Sequence, residues 1–459
     1  MKRMLEKKKN PLFAVLITFL LGYFLICDLD IRYIYIYALL GVFLCINIFT
    51  AGIWRPGVKL GTTLRTIWNR VTPIKMCFFF IVTLITILTL LPSSNKSHLT
   101  ISLMISMLIF AAYLLFMEPG KESIRCAFCA IHVMSILFTC YIIVVMLWPD
   151  LFWENIYLHL SSVSQEQAAL LIPMGYGVPL GGSSTYTDYI LTIALLVNLS
   201  EVFVEGIHNN RKRFWFVVIS SAFYAAGILL MGRRSEVLAM GVAGLLMLIL
   251  HAAPTCKGDT WRKFSSLLMI FVLFVVILLP FVAGGYMQRY SKLIEAIFPQ
   301  YVLNTEDKMQ EIPIDANQLT SGRLILWKQA LQLFKEKPVF GIGWEQFMTQ
   351  NTYEHEVHNT YLQWLCESGI VGFILLMIPT MLMYAMTIKR TIRYRRKNRE
   401  VPFGIKQMNF VSLGMHTFLL AVNLIDPAYY HLNYFCFYAL VICLEDTAGR
   451  LELESTVRS

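Results

Sequence analysis

The sequence predicts an all-α polytopic membrane protein, and two observations lead to that class. Of the 459 residues, 57% are hydrophobic and only 15% are charged, and the mean hydropathy is +0.60. Soluble domains are about 45–50% apolar and about 25% charged. In addition, apolar runs of about 20 residues, the length at which a helix crosses a bilayer, recur along the chain. The composition therefore excludes a disordered chain, a secreted disulfide-rich domain and a cytosolic enzyme.

The apolar runs predict about twelve transmembrane helices in a single integral membrane domain, residues 1–459. The first run follows a basic N-terminal segment, but no small-residue cleavage site comes after it. We therefore expect an uncleaved first helix rather than a signal peptide. The predicted spans are residues 11–27, 33–53, 76–92, 99–117, 126–148, 188–207, 214–231, 235–253, 266–285, 369–388, 408–425 and 430–446.

The distribution of basic residues predicts the orientation of these helices. If both termini are inside, 28 of the 39 Lys and Arg residues fall in cytoplasmic segments and 11 in outer segments. The positive-inside rule therefore places both termini in the cytoplasm. The net charge of +10 then reflects topology and contact with anionic membrane lipids, and it does not indicate a nucleic-acid partner.

Two long polar segments lie on the outer side in this topology. Residues 149–187 form an extracytoplasmic loop, and residues 286–368, between helices 9 and 10, form a larger one. Every predicted cytoplasmic loop is short and basic. We therefore expect the protein to work on the outer face of the membrane.

The second half of the large loop has a helical pattern. Ser321 is a candidate N-terminal cap, apolar residues then recur at helical spacing, and Pro338 ends the pattern. Such an amphipathic helix is suited to lie flat on the membrane surface. A turn at Gly341 and Gly343 follows, and a second helical run, 357–368, leads into the tenth span.

Arg233 and Arg234 stand in a tight outer turn, against the positive-inside pattern. Arginine near a membrane is costly, so it needs a partner or a function. One interpretation is a salt bridge to Glu236. The other is an anion site at the outer leaflet, because the guanidinium group matches phosphate oxygens. Arg323, at the start of the predicted surface helix, is a second candidate, since a helix N-terminus also favours a phosphate.

A histidine pair, His355 and His358, stands near the end of the large loop with Glu354 and Glu356 beside it. Residues three apart share a helix face, so a metal site is one interpretation, although a third ligand is not evident. A polar loop without chemistry is another. The third is a general base, because imidazole exchanges protons near neutral pH and can accept one from a sugar hydroxyl.

Residues 323–372 contain an ordered set of residues that together form a recognisable motif. It comprises Arg323, Trp327, Pro338, Gly341, Gly343, His358, Asn359, Leu362, Glu367, Gly369 and Gly372. In this order they resemble the core motif of the O-antigen ligase and polymerase superfamily, a group of bacterial membrane glycosyltransferases. The turn Gly232-Arg233-Arg234-Ser235 is similar to the family's upstream Ser-Arg turn, with Arg233 in place of the Ser, so the register favours Arg234.

The resemblance implies a GT-C-like fold and an inverting glycosyltransferase that needs neither a metal nor another cofactor. Its donor would be a glycan on undecaprenyl diphosphate, and its active site would face the extracytoplasmic side of the bacterial inner membrane. By resemblance, His358 is the catalytic base and Asn359, Gly341, Gly343 and Glu367 support the site. The diphosphate-binding residues would be Arg234, Arg323 and Arg233.

The leading hypothesis for the function is a polymerase that joins lipid-linked repeat units into an O-antigen, capsule or exopolysaccharide. The first alternative is a ligase that passes the glycan to a lipid A core, as in lipopolysaccharide, or to protein. A flippase for lipid-linked glycans is the alternative from another class, but the nearly charge-free spans argue against it. Expected partners are the acceptor glycan, membrane lipids, and a chain-length regulator and flippase of the same pathway.

Overall fold

The computed structural model describes about two thirds of the chain, in ranges separated by gaps. The first two predicted spans, most of the fourth, and residues 286–322 of the large loop lie outside these ranges. The described residues are 71–90, 107–108, 111–112, 114–115, 120–159, 162–178, 184–205, 210–251, 257–283, 323–351, 353, 355–396, 401–425 and 432–458.

All the regular structure in the described ranges is helical. The segment predicted as an outer loop, 149–187, itself contains short helices. In chain order the helices are α1 (Pro73–Leu90), α2 (Lys121–Leu147), α3 (Pro149–Asn155), a 3-10 turn (Tyr157–His159), α4 (Ser162–Leu171), α5 (Ser184–Ser200, continued by a π-helical turn, Glu201–Glu205), α6 (Arg211–Leu230), α7 (Arg234–His251), α8 (Lys257–Ala283), α9 (Arg323–Glu336), α10 (Phe347–Gln350), α11 (Thr360–Arg396), α12 (Phe403–Val422) and α13 (Leu432–Arg458).

Within the described residues, six helices are long and apolar enough to cross a membrane. This confirms the all-helical membrane class, while the number of twelve spans stays a prediction. The helices extend beyond several of the predicted apolar runs, because polar residues at their ends find partners on neighbouring helices. The six candidate spans are Pro73–Leu90, Ile124–Leu147, Thr187–Val204, Arg211–Leu230, Lys263–Phe281 and Thr360–Tyr394.

Helices α5 and α6 run antiparallel to each other. The Asn198 amide donates to Ser220 Oγ at 2.8 Å in the middle of the pair. Towards one end, Arg213 pairs with Glu201 at 2.7 Å. The last residue of α6 therefore lies beside the first turn of α5.

Helix α12 packs against α5, α7, α11 and α13 and is buried along most of its length. It is antiparallel to α5, since the Tyr189 ring lies 5.4 Å from that of Phe418 and the Phe203 ring lies 6.0 Å from that of Phe410. It is antiparallel to α11 as well, because Thr360 contacts Asn423 and Thr391 contacts Asn409. One end of the bundle, which we name the loop end, thus holds the start of α5, the end of α6, the start of α11 and the end of α12.

The opposite end, which we name the basic end, is held by buried ion pairs. Lys75 Nζ lies 2.9 Å from Asp446 Oδ2, and both side chains are almost fully buried. Arg450 binds the same carboxylate at 3.2 Å, and Arg390 binds Glu445. Removing one partner of such a pair leaves an uncompensated buried charge, at a cost of about 3–5 kcal/mol. These pairs therefore fix α1, α11 and α13 relative to one another.

A polar seam connects the two ends between α12 and α13. Asn409, His416 and Asn423 recur every seven residues along α12 and face α13. They bind Glu445, Tyr438 and Tyr434 respectively. In an apolar solvent, interhelical hydrogen bonds of this kind help to fix which helices pair and in what register.

Candidate active site

The arginine turn, residues 231–234, joins α6 to α7 at the loop end. Gly232 adopts φ +70°, and a Cβ atom there would lie 2.6 Å from the Tyr176 ring. The amide of Gly177 donates to the carbonyl oxygen of Leu230 at 2.9 Å. A glycine is therefore required at position 232, both for its left-handed backbone and because the segment around Tyr176 packs directly on the turn.

Glu236 holds Arg233 from within the protein. Arg233 Nη1 lies 2.8 Å from Glu236 Oε1, and Ser235 Oγ donates to the other carboxylate oxygen at 2.6 Å. Glu236 is fully buried, whereas the Arg233 side chain is 22% exposed. The salt bridge considered from the sequence is thus present. Arg234 is the first residue of α7, and its side chain lies outside the described set.

Arg323 is the first residue of α9, the amphipathic helix that the sequence predicts before Pro338. The predicted cap, Ser321, lies outside the described residues. The buried face of α9 packs on the segment before α11 and on the first turns of α11. This small cluster is separate from the main core and consists of Leu326, Ala330, Ile342, Phe347, Val357 and Cys366.

The predicted turn at Gly341 and Gly343 is present, and it interlocks with α11. The two glycines have φ +73° and +109°. The Ile342 amide donates to the Cys366 carbonyl at 2.9 Å, and the Gly343 amide to the Glu367 carbonyl at 3.0 Å. A Cβ on Gly341 would lie 2.4 Å from the backbone of Glu367. The contact is therefore between two backbones, which explains the need for glycine.

The helix α11 is interrupted just after the carbonyl groups that accept these hydrogen bonds. Gly369 has φ +64°, and a Cβ there would lie 2.3 Å from the Val339 carbonyl oxygen. The second helical run therefore does not continue straight into the tenth span, as the sequence suggested, but reaches it through a kink at Gly369. At this kink the backbone of α11 packs directly against Val339 and Gly341.

Glu367 fastens the same turn through its side chain. The carboxylate is 1% exposed and accepts hydrogen bonds from the Phe347 amide at 3.3 Å and from Gln363 Nε2 at 3.2 Å. It thereby fixes the start of α10 to α11. The carboxylate thus has a structural role at this turn, while a supporting role for Glu367 in catalysis stays a prediction.

His358 stands immediately before α11, and Asn359 caps that helix. Asn359 Oδ1 accepts the Leu362 amide at 3.0 Å. Thr360 is bound to Asn423, with its amide on the backbone oxygen at 2.9 Å and its hydroxyl on the side-chain oxygen at 2.9 Å. The backbone that carries His358 is therefore fixed to the end of α12.

His358 itself adopts φ +52°, in the left-handed region, and its side chain is half-buried. That conformation is uncommon outside glycine and costs on the order of 1–3 kcal/mol. The cap and the Thr360 contacts hold it in place. Strained residues of this kind occur preferentially at functional sites.

The prediction that His355 and His358 share a helix face is wrong. Residues 355–359 are irregular, because Asn351 organises the loop instead: its side chain donates to the His355 carbonyl at 2.8 Å and accepts the Tyr353 amide at 2.9 Å. Among the residues that the structure describes, no three His, Cys, Asp or Glu side chains come together as metal ligands.

The structure thus brings the arginine turn, α9 with Arg323, the glycine turn and His358 to the loop end. Sequence reasoning missed two further residues there. The role of Asn351 could not be predicted, because it contacts the backbone of an irregular loop that has no recognisable sequence pattern. Asp188 is fully buried in the first turns of α5, at the level of the arginine turn, and the only available signal was a carboxylate at the very start of an apolar run.

The chain is similar to two groups of known sequences, a curated relative and a family model. A relative, exopolysaccharide production protein ExoQ of Rhizobium meliloti (strain 1021), is 26% identical over 149 residues, which are 29% of this chain and 31% of that protein. The match therefore spans about a third of the relative's length. The O-antigen ligase family model matches residues 216–377, which include both the arginine turn and His358. Over the matched residues the chain is therefore similar to proteins of the O-antigen ligase/polymerase superfamily.

Proposed function

We propose that the protein is a membrane glycosyltransferase that polymerises undecaprenyl-diphosphate-linked repeat units into a cell-surface polysaccharide. The observation that supports this proposal is that the arginine turn, the start of α9 with Arg323, and His358 all lie at the same end of the helix bundle. All of them lie within the segment that matches the O-antigen ligase family. A lipid-anchored donor would present its diphosphate at this height, because the polyprenyl chain stays in the bilayer.

The proposed chemistry is a single displacement at the anomeric carbon of the donor. An acceptor hydroxyl oxygen forms the new bond to that carbon, and His358 takes the hydroxyl proton. The bond from the carbon to the diphosphate oxygen breaks, and the diphosphate leaves with the electron pair. Attack in line with the departing bond inverts the carbon. Arg234 and Arg323, with Arg233 beside them, would neutralise the charge that develops on the leaving group.

The nature of the acceptor separates the polymerase from the ligase. The relative is named for exopolysaccharide production, which favours a polymerase, while the family description is that of a ligase. A shared donor site is compatible with both. A flippase remains the alternative from another class, and it predicts transport of the lipid-linked unit without formation of a new glycosidic bond.

A reconstituted reaction tests the proposal. Purified protein in liposomes that contain a lipid-linked repeat unit should produce a ladder of longer glycans. Transfer only to an added lipid A core would instead indicate a ligase. If neither product forms, while the lipid-linked unit crosses the bilayer, the glycosyltransferase proposal is wrong.

The proposed orientation places the loop end outside, with both termini in the cytoplasm of the bacterial inner membrane. It rests on the 28 basic residues of the cytoplasmic segments against 11 outside. Glu336 at the end of α9 and Glu454 near the end of α13 are both exposed and lie on opposite sides in this topology. A membrane-impermeant thiol reagent applied to intact spheroplasts should label Glu336→Cys and should miss Glu454→Cys until the membrane is opened. The reverse pattern would contradict the orientation.

A further inference from the structure

Two exposed apolar side chains lie directly before the glycine turn, in the short turn that joins Pro338 to Gly341. Val339 is 50% exposed and Phe340 is 75% exposed. On its other side, the turn is locked backbone to backbone against α11. An exposed phenylalanine on a rigid turn loses little conformational freedom when it enters an apolar environment, and its burial is worth about 1.5–3 kcal/mol.

Hydrogen bonds fix the height of this turn along α11. The Ile370 amide donates to the Pro338 carbonyl at 2.9 Å, and the Val371 amide donates to the Val339 carbonyl at 3.3 Å. This turn therefore lies beside the first helical turn after the Gly369 kink. The exposed apolar stripe of α11 begins at this level and continues along one face of the helix. It comprises Val371, Ile374, Leu375, Ile378 and Leu382.

The length of α11 after the kink matches the thickness of a bilayer. From Gly369 to Lys389, at the basic end, α11 rises about 30 Å at about 1.5 Å per residue. A hydrocarbon core is also about 30 Å thick. With Lys389 and Arg390 at one boundary, Gly369 and the adjacent turn lie at the other. The Phe340 side chain is thus at the depth where acyl chains begin.

Charge complementarity supports contact with lipid. Lys335 and Lys337 immediately precede Pro338 and Val339 in the chain, and both are exposed. Cations at this height can reach lipid phosphates while their aliphatic stems lie on apolar surface. Four of the five exposed residues of α9 are polar: Lys328, Gln332, Lys335 and Glu336, with Leu331 as the apolar one.

We propose that Val339 and Phe340 form a membrane wedge that inserts among the phospholipid acyl chains of the leaflet at the loop end. Because the turn is interlocked with α11, the wedge sets the height of α9 and of the site above the bilayer. The inference does not depend on the reaction that the site performs.

Photocrosslinking tests this wedge. Benzoyl-phenylalanine is introduced at Phe340 or, as a matched control, at Gln332, and each protein is placed in liposomes of phosphatidylethanolamine and phosphatidylglycerol that carry a radiolabel in an acyl chain. On irradiation, the residue at 340 should attach several-fold more label than the residue at 332. Both positions are exposed, so neither replacement should disturb folding.

Three results would overturn the proposal: equal labelling at the two positions, no labelling at 340, or attachment of position 340 to a second protein chain. The crosslink should also persist when His358→Ala is present. That variant separates the lipid contact from the proposed transferase activity, because a failure of the proposed function would leave the labelling unchanged.

Discussion

Arg234→Ala and Arg323→Ala should each abolish or severely reduce glycan transfer while the protein stays folded in the membrane. In the proposed reaction the departing diphosphate carries the charge that develops in the transition state, and cations that are already positioned in the site stabilise that charge. Arg323 is half-buried at the first turn of α9, where the helix dipole adds to its effect. The measurement is the initial rate of ladder formation in liposomes, with the amount of folded protein matched.

The variant Arg323→Lys distinguishes a bidentate contact with phosphate from a simple attraction between charges. Lysine keeps the charge but cannot make a bidentate contact with phosphate, so Arg323→Lys should restore little activity. Lys328→Ala, which removes an exposed cation from the same helix, is the matched control and should keep most of the rate. Full activity in Arg323→Lys would mean that Arg323 only anchors the helix to lipid head groups.

A test of Arg233 needs an additional control for folding, because Arg233 forms a salt bridge with the buried Glu236. Arg233→Ala would leave the Glu236 carboxylate buried without this partner, and such a loss is strongly destabilising. A reduced rate in this variant could therefore come from misfolding alone. Arg233→Ala combined with Glu236→Gln removes the stranded charge. If Arg234 is the functional arginine, as the motif register favours, the double variant should recover both folding and most of the transfer.

Local features of the site could be predicted from the sequence, because they depend on neighbours in the chain. Pro338 ends α9 at the expected place, and the Gly341-Gly343 turn follows it. The pair of Arg233 and Glu236 follows from residues three apart at the start of a helix. The membrane class followed from hydropathy alone.

Contacts between distant segments could not be predicted in the same way. The kink at Gly369 exists because the glycine turn packs against it, and a helical pattern alone gives no sign of that contact. Asn423, which binds Thr360 and Tyr434, stands in an apolar run. The mean hydropathy of such a run does not reveal the contacts of a single polar residue. Asp188 was unrecognised for the same reason, since its burial depends on the helices that surround it.

His358→Ala should lower the transfer rate by about 10²–10⁴, which corresponds to ~2.7–5.4 kcal/mol of activation barrier. The Asn359 cap and the Thr360 contacts fix the backbone of His358 without using its ring, so the substitution should not unfold the helix start. Binding of the lipid-linked donor should persist, because in the proposed mechanism the arginines, and not His358, bind the diphosphate. The measurements are the single-turnover rate and, separately, donor binding to the same liposomes.

His355→Ala is the matched control for this prediction. His355 is exposed, and the structure holds its backbone rather than its ring through Asn351, so its loss should have a milder effect on the rate. A chelator should leave the transfer rate of both variants unchanged, since the proposed mechanism uses no metal. A wild-type rate in His358→Ala would eliminate it as the base. Loss of wild-type activity on chelation, restored by a divalent ion, would instead require a metal at this loop and a different origin for the attacking oxygen's reactivity.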